Sequence, residues 1–229
     1  MIKLFAKFTL ITIIIMLVGC ESVEQIPGQA TGDSIALPPP VYESKMSVEQ
    51  ALLERRSVRA YSAEPLTLPE ISQLLWAAQG ITHPSGFRTV PSAGGLYPLE
   101  IFLLAGEVTD LEAGIYRYQS ETHELRFILE GDHRQELSRA ALNQSAILEA
   151  PAVIIIAAVY ERTMVKYGER GVQYVHIEVG AASENIYLQA ESLGLGTVFI
   201  GAFHDGEVRK ILQLGAGEQP LGLMPVGRK

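Results

Sequence analysis

Apolar positions recur along this chain with periods that shift from segment to segment, and each period predicts an element. Residues 47–54 read as a helix, with Ser47 and Gln50 spaced as a capping box. In residues 67–79, Ile71, Leu74, Leu75 and Ala78 fall on one helical face. Thr67 and Glu70 repeat the capping spacing there, so a second helix is expected. Residues 100–105 form a short apolar run, read as a strand. Residues 115–118 and 124–129 alternate apolar with polar about a polar turn, the pattern of an antiparallel hairpin. Residues 132–146 look helical, and residues 153–159 are apolar throughout, as in a strand covered on both faces.

The longest helix is expected over residues 172–193. Val175, Val179, Ala182, Ile186, Ala190 and Leu193 line one face and Ile177, Ala181 and Leu188 another, so little of it should be exposed. Gly194 suits its carboxyl end. A strand over 197–200 and a last helix, capped by Asp205 and running to residue 214, complete the reading. Helices and strands mix with a hairpin and no steady βαβ rhythm, which predicts an α+β fold.

The first residues follow a different logic. Lys3 and Lys7 precede an apolar run over residues 8–18, too short to span a bilayer comfortably and suited to the core of a signal peptide. Leu17-Val18-Gly19-Cys20 then resembles a bacterial lipobox, with a plain signal anchor as the alternative. The expectation is a lipoprotein signal peptide over 1–19, lipidation at Cys20, a flexible tether over 20–45 rich in Pro and Gly, and a domain over 46–229. Such a protein sits outside the cytoplasm, held to a membrane by its lipid anchor.

Composition narrows the chemistry. Hydrophobic residues make up 48% and charged residues 19%, enough for a packed core. Without Lys3 and Lys7, sixteen basic residues stand against twenty-six acidic ones, which argues against nucleic acid as a partner. Cys20 is the single cysteine, so no internal disulfide and no thiolate zinc site is possible. The five histidines lie at no metal-ligand spacing, and no metal site is expected.

Three segments carry candidate chemistry. Arg55-Arg56-Ser57-Val58-Arg59 places three arginines and a serine at a helix end, able to supply charge-assisted donors to a phosphate or to remain a solvated helix terminus. Pro91-Ser92-Ala93-Gly94-Gly95-Leu96-Tyr97-Pro98 is a loop of small residues that lets a flat ligand approach the backbone. Leu193-Gly194-Leu195-Gly196 precedes Ile200-Gly201-Ala202-Phe203. Its glycines follow a helix and precede a strand, the reverse of a dinucleotide fingerprint.

In their order and spacing these segments together resemble the nitroreductase superfamily, and within it the SagB-type dehydrogenases, over residues 47–229. The resemblance implies a mixed central sheet flanked by helices, an intertwined homodimer, and FMN at its interface. It implies Arg55 near the FMN phosphate, Ser57 near the ribityl chain and Arg59 near the ring, with Arg56 also among the cofactor-binding residues. Pro91, Ser92, Ala93 and Gly94 would lie along the flavin, supplied by the partner subunit. Leu195, Gly196, Ile200 and Gly201 would lie over its other face, with Arg228 as a second phosphate ligand. Lys166-Tyr167 matches a pair implicated in proton removal by SagB-type relatives, and otherwise reads as a solvated turn. Glu178 and Asn185 also match family positions.

The function implied is hydride transfer through flavin N5. The enzyme is then either a dehydrogenase acting on a small molecule or peptide, or a nitroreductase fed by NAD(P)H, a donor scarce outside the cytoplasm. A binding or scaffolding lipoprotein with a non-catalytic flavin fold is the remaining alternative.

Overall fold

The structure, a computed structural model, describes residues 34–229. The signal peptide, Cys20 and the first part of the tether lie outside the described residues. From its start the described chain runs β1 (Ser34–Ala36), α1 (Val48–Glu54), β2 (Leu66–Thr67), α2 (Leu68–Gln79), β3 (Leu99–Ala105), β4 (Val108–Thr109), β5 (Gly114–Gln119) and β6 (Glu124–Glu130). It continues with α3 (Arg134–Ala140), α4 (Ser145–Glu149), β7 (Ala152–Val159), α5 (Tyr160–Tyr167), α6 (Arg170–Ser192), β8 (Leu195–Thr197), α7 (Asp205–Ile211) and β9 (Glu218–Arg228).

Seven strands form one sheet in the order β1-β6-β5-β3-β7-β9-β8. β7 lies between β3 and β9, and its first seven residues are buried. Alternate side chains of the central strands enter two cores. Leu99, Ile101, Leu103, Ile154 and Ile156 join α2 and α6 in one. Phe102, Leu104, Val153 and Ile155 join α3, α4 and α7 in the other. With a helical layer on each face, β7 has no polar side to show, which is why its sequence is uniformly apolar.

The first two helices start as expected, with different completeness. Thr67 and Glu70 close a full capping box on α2, Thr67 N–H donating to Glu70 Oε2 at 2.8 Å. Ser47 accepts from Gln50 N–H at 3.1 Å, but the Gln50 amide turns to Glu54, so α1 has half a box.

Several expectations are corrected. All six pairings of the large sheet are antiparallel; parallel pairing among the described residues is confined to the small sheet of β2 and β4 and the isolated bridge between Ser57 and Thr197. Residues 132–146 break into α3 and α4, because Leu142 and Asn143 take φ of 59° and 61°. Asp205 is the first residue of α7, not its cap; His204 holds the cap position and makes no side-chain bond. Part of the expected tether belongs to the domain. Ser34–Ala36 pair with β6, Leu37 is buried, and Val41 exchanges hydrogen bonds with the Gln73 side chain at 2.8 and 3.0 Å. The second face of α6 is covered only in part: Ala181 and Leu188 are half-buried, and Ile177 is 65% exposed.

Candidate active site

The arginine-rich segment leaves α1 and turns extended. Arg55 N–H closes the helix on the Ala51 carbonyl, and Val58 N–H donates to the Thr197 carbonyl at 2.9 Å. This seats the first segment beside the third. Gly196 is needed for the approach: a Cβ there would stand 2.7 Å from Val58 Cβ.

Tyr187 of α6 ties the two segments together. Its hydroxyl accepts Phe199 N–H at 2.7 Å and lies 3.3 Å from Ser57 Oγ, while the Arg55 guanidinium sits 5.1 Å from its ring centre. Arg55 also reaches Glu184 at 3.8 Å. Tyr187 has no motif of its own; its spacing on the helix reads only as core. Arg59 is exposed and has no ion pair among the described residues. Arg56 is spent on the helix end, donating to the Leu53 and Arg55 carbonyls at 3.0 and 2.7 Å. Leu195, Gly196 and Ile200 are buried, so within one chain Gly201 is the exposed member of that group.

Arg228 sits apart. Its guanidinium binds Glu70 at 2.9 and 3.2 Å and Glu64 at 2.9 Å, fastening β9 to the start of α2. It can meet a phosphate only by leaving these carboxylates.

The small-residue loop and the Lys-Tyr pair form a second cluster. Gly94 and Gly95 both take φ of 66°, a left-handed conformation that favours glycine. Lys166 and Tyr167 occupy the last turn of α5, a helix where the alternative reading has a solvated turn, closed at Gly168 with φ 56°. A Cβ on Gly94 would stand 2.8 Å from Tyr167 Oη and 2.9 Å from Lys166 Nζ. The bare backbone at Gly94 is therefore what lets these two polar atoms close over the loop. Ser92 Oγ accepts Tyr97 N–H at 2.9 Å and completes the loop.

Glu178, buried on α6, holds this loop in place by accepting Ala93 N–H at 2.8 Å. Its other oxygen is buried without a partner among the described residues. Burial pushes its pKa up from 4.5, against the lowering effect of the Ala93 and Ser92 hydrogen bonds. A carboxyl raised in the folded state favours folding while protonated and loses that contribution as pH climbs through the folded value. Glu178→Gln keeps an acceptor for Ala93 and cannot ionise. Its urea midpoint should match wild type at pH 4 and exceed it at pH 8; equal midpoints at both would show that Glu178 is not held out of water. Asn185 has a similar bracing role, donating to the Ala77 carbonyl at 3.0 Å.

Glu178 and Tyr187 are nine residues apart on α6, about 13 Å along its axis at 1.5 Å per residue. One chain thus carries two half-sites: an arginine–serine donor set at one level of the helix and a glycine loop with Lys166 and Tyr167 at the other. Between α1, α2 and α6 lies a cavity of about 360 Å³, lined by Val48, Ala51, Trp76, Asn185 and Leu188 among others.

Known proteins resemble this chain in sequence and fold. The Nitroreductase family model matches residues 52–228. A candidate nitroreductase of Methanocaldococcus jannaschii is 52% identical over 198 residues, 86% of this chain and 98% of that protein. The microcin B17-processing protein McbC of Escherichia coli is 26% identical over 155 residues, 65% of this chain and 57% of McbC. The crystal structure of a candidate nitroreductase from Ralstonia eutropha superposes with a TM-score of 0.76 at 28% identity, covering 91% of this chain and 95% of that one. With its antiparallel sheet between two helical layers and a family match across almost the whole described domain, this chain belongs to the nitroreductase family.

Proposed function

We propose that the chain is an FMN-dependent oxidoreductase that works as a homodimer, with each flavin held between the donor set of one protomer and the glycine loop of its partner. The observation that carries the reading is the set of half-buried Arg55 and exposed Ser57, both held against Tyr187, with exposed Arg59 beside them, matched in kind to a phosphate and its polyol. The unpartnered oxygen of Glu178 beside the loop fits a site completed by something the isolated chain does not supply. Two-foldness is supported by the open stripe of α6, where Ile177 is 65% exposed and a Cβ on Gly180 would meet nothing, and by Val48, Leu52 and Leu53 of α1, all more than half exposed.

FMN, when bound, supplies a two-electron centre that exchanges hydride with the substrate. The chain's own residues do the rest. Arg55 would hold the phosphate, Ser57 the ribityl chain, and Arg59 would bring positive charge to the ring end. Lys166 Nζ or Tyr167 Oη, poised over Gly94, holds the proton that leaves the carbon next to the one losing hydride. That pair favours a SagB-type dehydrogenase acting on a small molecule or peptide, and the likeness to McbC supports it. Reduction by NAD(P)H of a nitro compound or quinone is the second reading, favoured by the M. jannaschii relative. Lipidation at Cys20, which would set the domain outside the cytoplasm, belongs to the same proposal and rests on the sequence pattern at residues 17–20.

The test is the visible spectrum of the protein purified without added cofactor. Blue and near-ultraviolet flavin bands, with FMN released on denaturation, are expected. A colourless protein that takes up no added FMN would overturn the proposal in favour of a scaffold. Rapid bleaching of the bound flavin by NADPH would select the nitroreductase reading over the dehydrogenase.

A further inference from the structure

On the sheet face away from α6, three arginines crowd together. Arg117 of β5 and Arg126 of β6 stand directly opposite each other in the antiparallel register, and Arg162 of α5 reaches over from the strand ends. Like charges directly opposite on a sheet disfavour the pairing unless something neutralises them. Two carboxylates do part of this. Glu100 pairs with both Arg117 and Arg162, and Glu218 pairs with Arg117. Arg126 is left exposed, with no acidic partner among the described residues. Glu124, two residues before it, lines neither adjoining cavity and takes the Thr122 hydroxyl. Three guanidinium groups against two carboxylates leave one positive charge.

The arginines divide two cavities. The one of about 370 Å³ has almost wholly polar walls, with Arg88, Gln119 and Ser120 among them. The other, of about 600 Å³, combines the three arginines with Phe102, Ile128 and Val159. A net positive charge beside an apolar wall, in a cavity of this size, suits a small organic anion.

We propose that the larger cavity binds an organic monoanion, a carboxylate on an apolar body, with Arg126 and Arg117 taking the carboxylate in bidentate fashion and the body lying along Phe102, Ile128 and Val159. The single net charge favours one carboxylate over a phosphate or polyanion, which would add repulsion from Glu100 and Glu218. The site shares no residue with the flavin half-sites, so its standing is independent of that reading. It does adjoin them: Arg162 Nη1 donates to the Tyr97 carbonyl at 3.1 Å, and Tyr97 closes the glycine loop with φ of 44°.

The carboxylate source is either a free acid or the carboxyl terminus of a peptide, and calorimetric titration of the full-length protein separates them. The probes are 3-phenylpropionate, its amide, acetate, and a tetrapeptide ending in Phe with its terminus free or amidated. Saturable binding of phenylpropionate is expected, weakened about tenfold or more when the carboxylate becomes an amide or the body is cut to acetate. A free-terminus peptide that binds tighter than phenylpropionate, and loses this on amidation, identifies a peptide end; weaker peptide binding identifies a free acid. Arg126→Gln should weaken every acid about tenfold, Arg126→Lys less, and Arg55→Ala not at all. Arg126 is exposed, so its variants should unfold at the wild-type temperature. Equal affinity for acid and amide, equal affinity in Arg126→Gln, or loss in Arg55→Ala would overturn the proposal.

Discussion

Arg55→Ala protein should lose bound flavin while keeping its fold. A charge-assisted contact is worth about 1.5–3 kcal/mol, so FMN affinity should fall by about ten- to a hundred-and-fifty-fold, read by fluorescence of released flavin during dilution. Stability should barely move. The Arg55–Glu184 contact is long, at 3.8 Å, and partly exposed on both sides, and such pairs contribute about 0–1 kcal/mol. Arg56→Ala is the internal control, because that guanidinium is turned onto the end of α1 and should affect retention much less. If Arg55→Ala retains flavin as wild type does, the phosphate lies elsewhere, and Arg228, freed from Glu70, becomes the next residue to test.

The second large effect concerns the fold itself. Ile155→Ala should cost about 2–5 kcal/mol, from the lost transfer of its side chain out of water and from the cavity it leaves. Ile155 is fully buried on β7, opposite Phe102 on one side and Leu223 on the other, so neighbours on both flanks resist collapse into the gap. Against a typical total of about 5–15 kcal/mol, this is a large fraction, visible as a shifted urea midpoint with unchanged slope. Val165→Ala, at a side chain 89% exposed in the isolated chain, should shift it by less than about 0.5 kcal/mol. Comparable midpoints for the two variants would show that β7 is not the centre of the core.

Ile155 is also where the sequence speaks most clearly. A strand buried on both faces has no polar position to misread, and the capping pair of Thr67 and Glu70 marks the start of α2 just as directly. β9 was illegible for the opposite reason. Pro220, Gly222, Pro225 and Gly227 carry no strand pattern, yet they form a strand next to β7. The two prolines are tolerated because β8 pairs only with residues 226–228, leaving the missing N–H groups outside that ladder. α5 was missed because it begins straight after β7, with Val159 at the cap position and no capping side chain. In the site, the segments were visible because each is compositionally odd. Tyr187, which joins two of them, was not, since an aromatic at core spacing on a helix carries no mark of its hydroxyl's partners. Glu178 was legible only as a family position; its grip on Ala93 depends on a loop that folds back from 85 residues earlier.

The place of β9 in the sheet also bears on how the molecule is made. It pairs with β7 on one side and β8 on the other, and both neighbours leave the ribosome before it does. Until residues 218–228 emerge, β7 offers an apolar strand with an open edge and β8 has only the bridge from Thr197 to residues 57 and 58. While residues 160–217 are made, the nascent chain therefore carries an unsealed sheet edge, exposed to intermolecular strand addition, until β9 closes it.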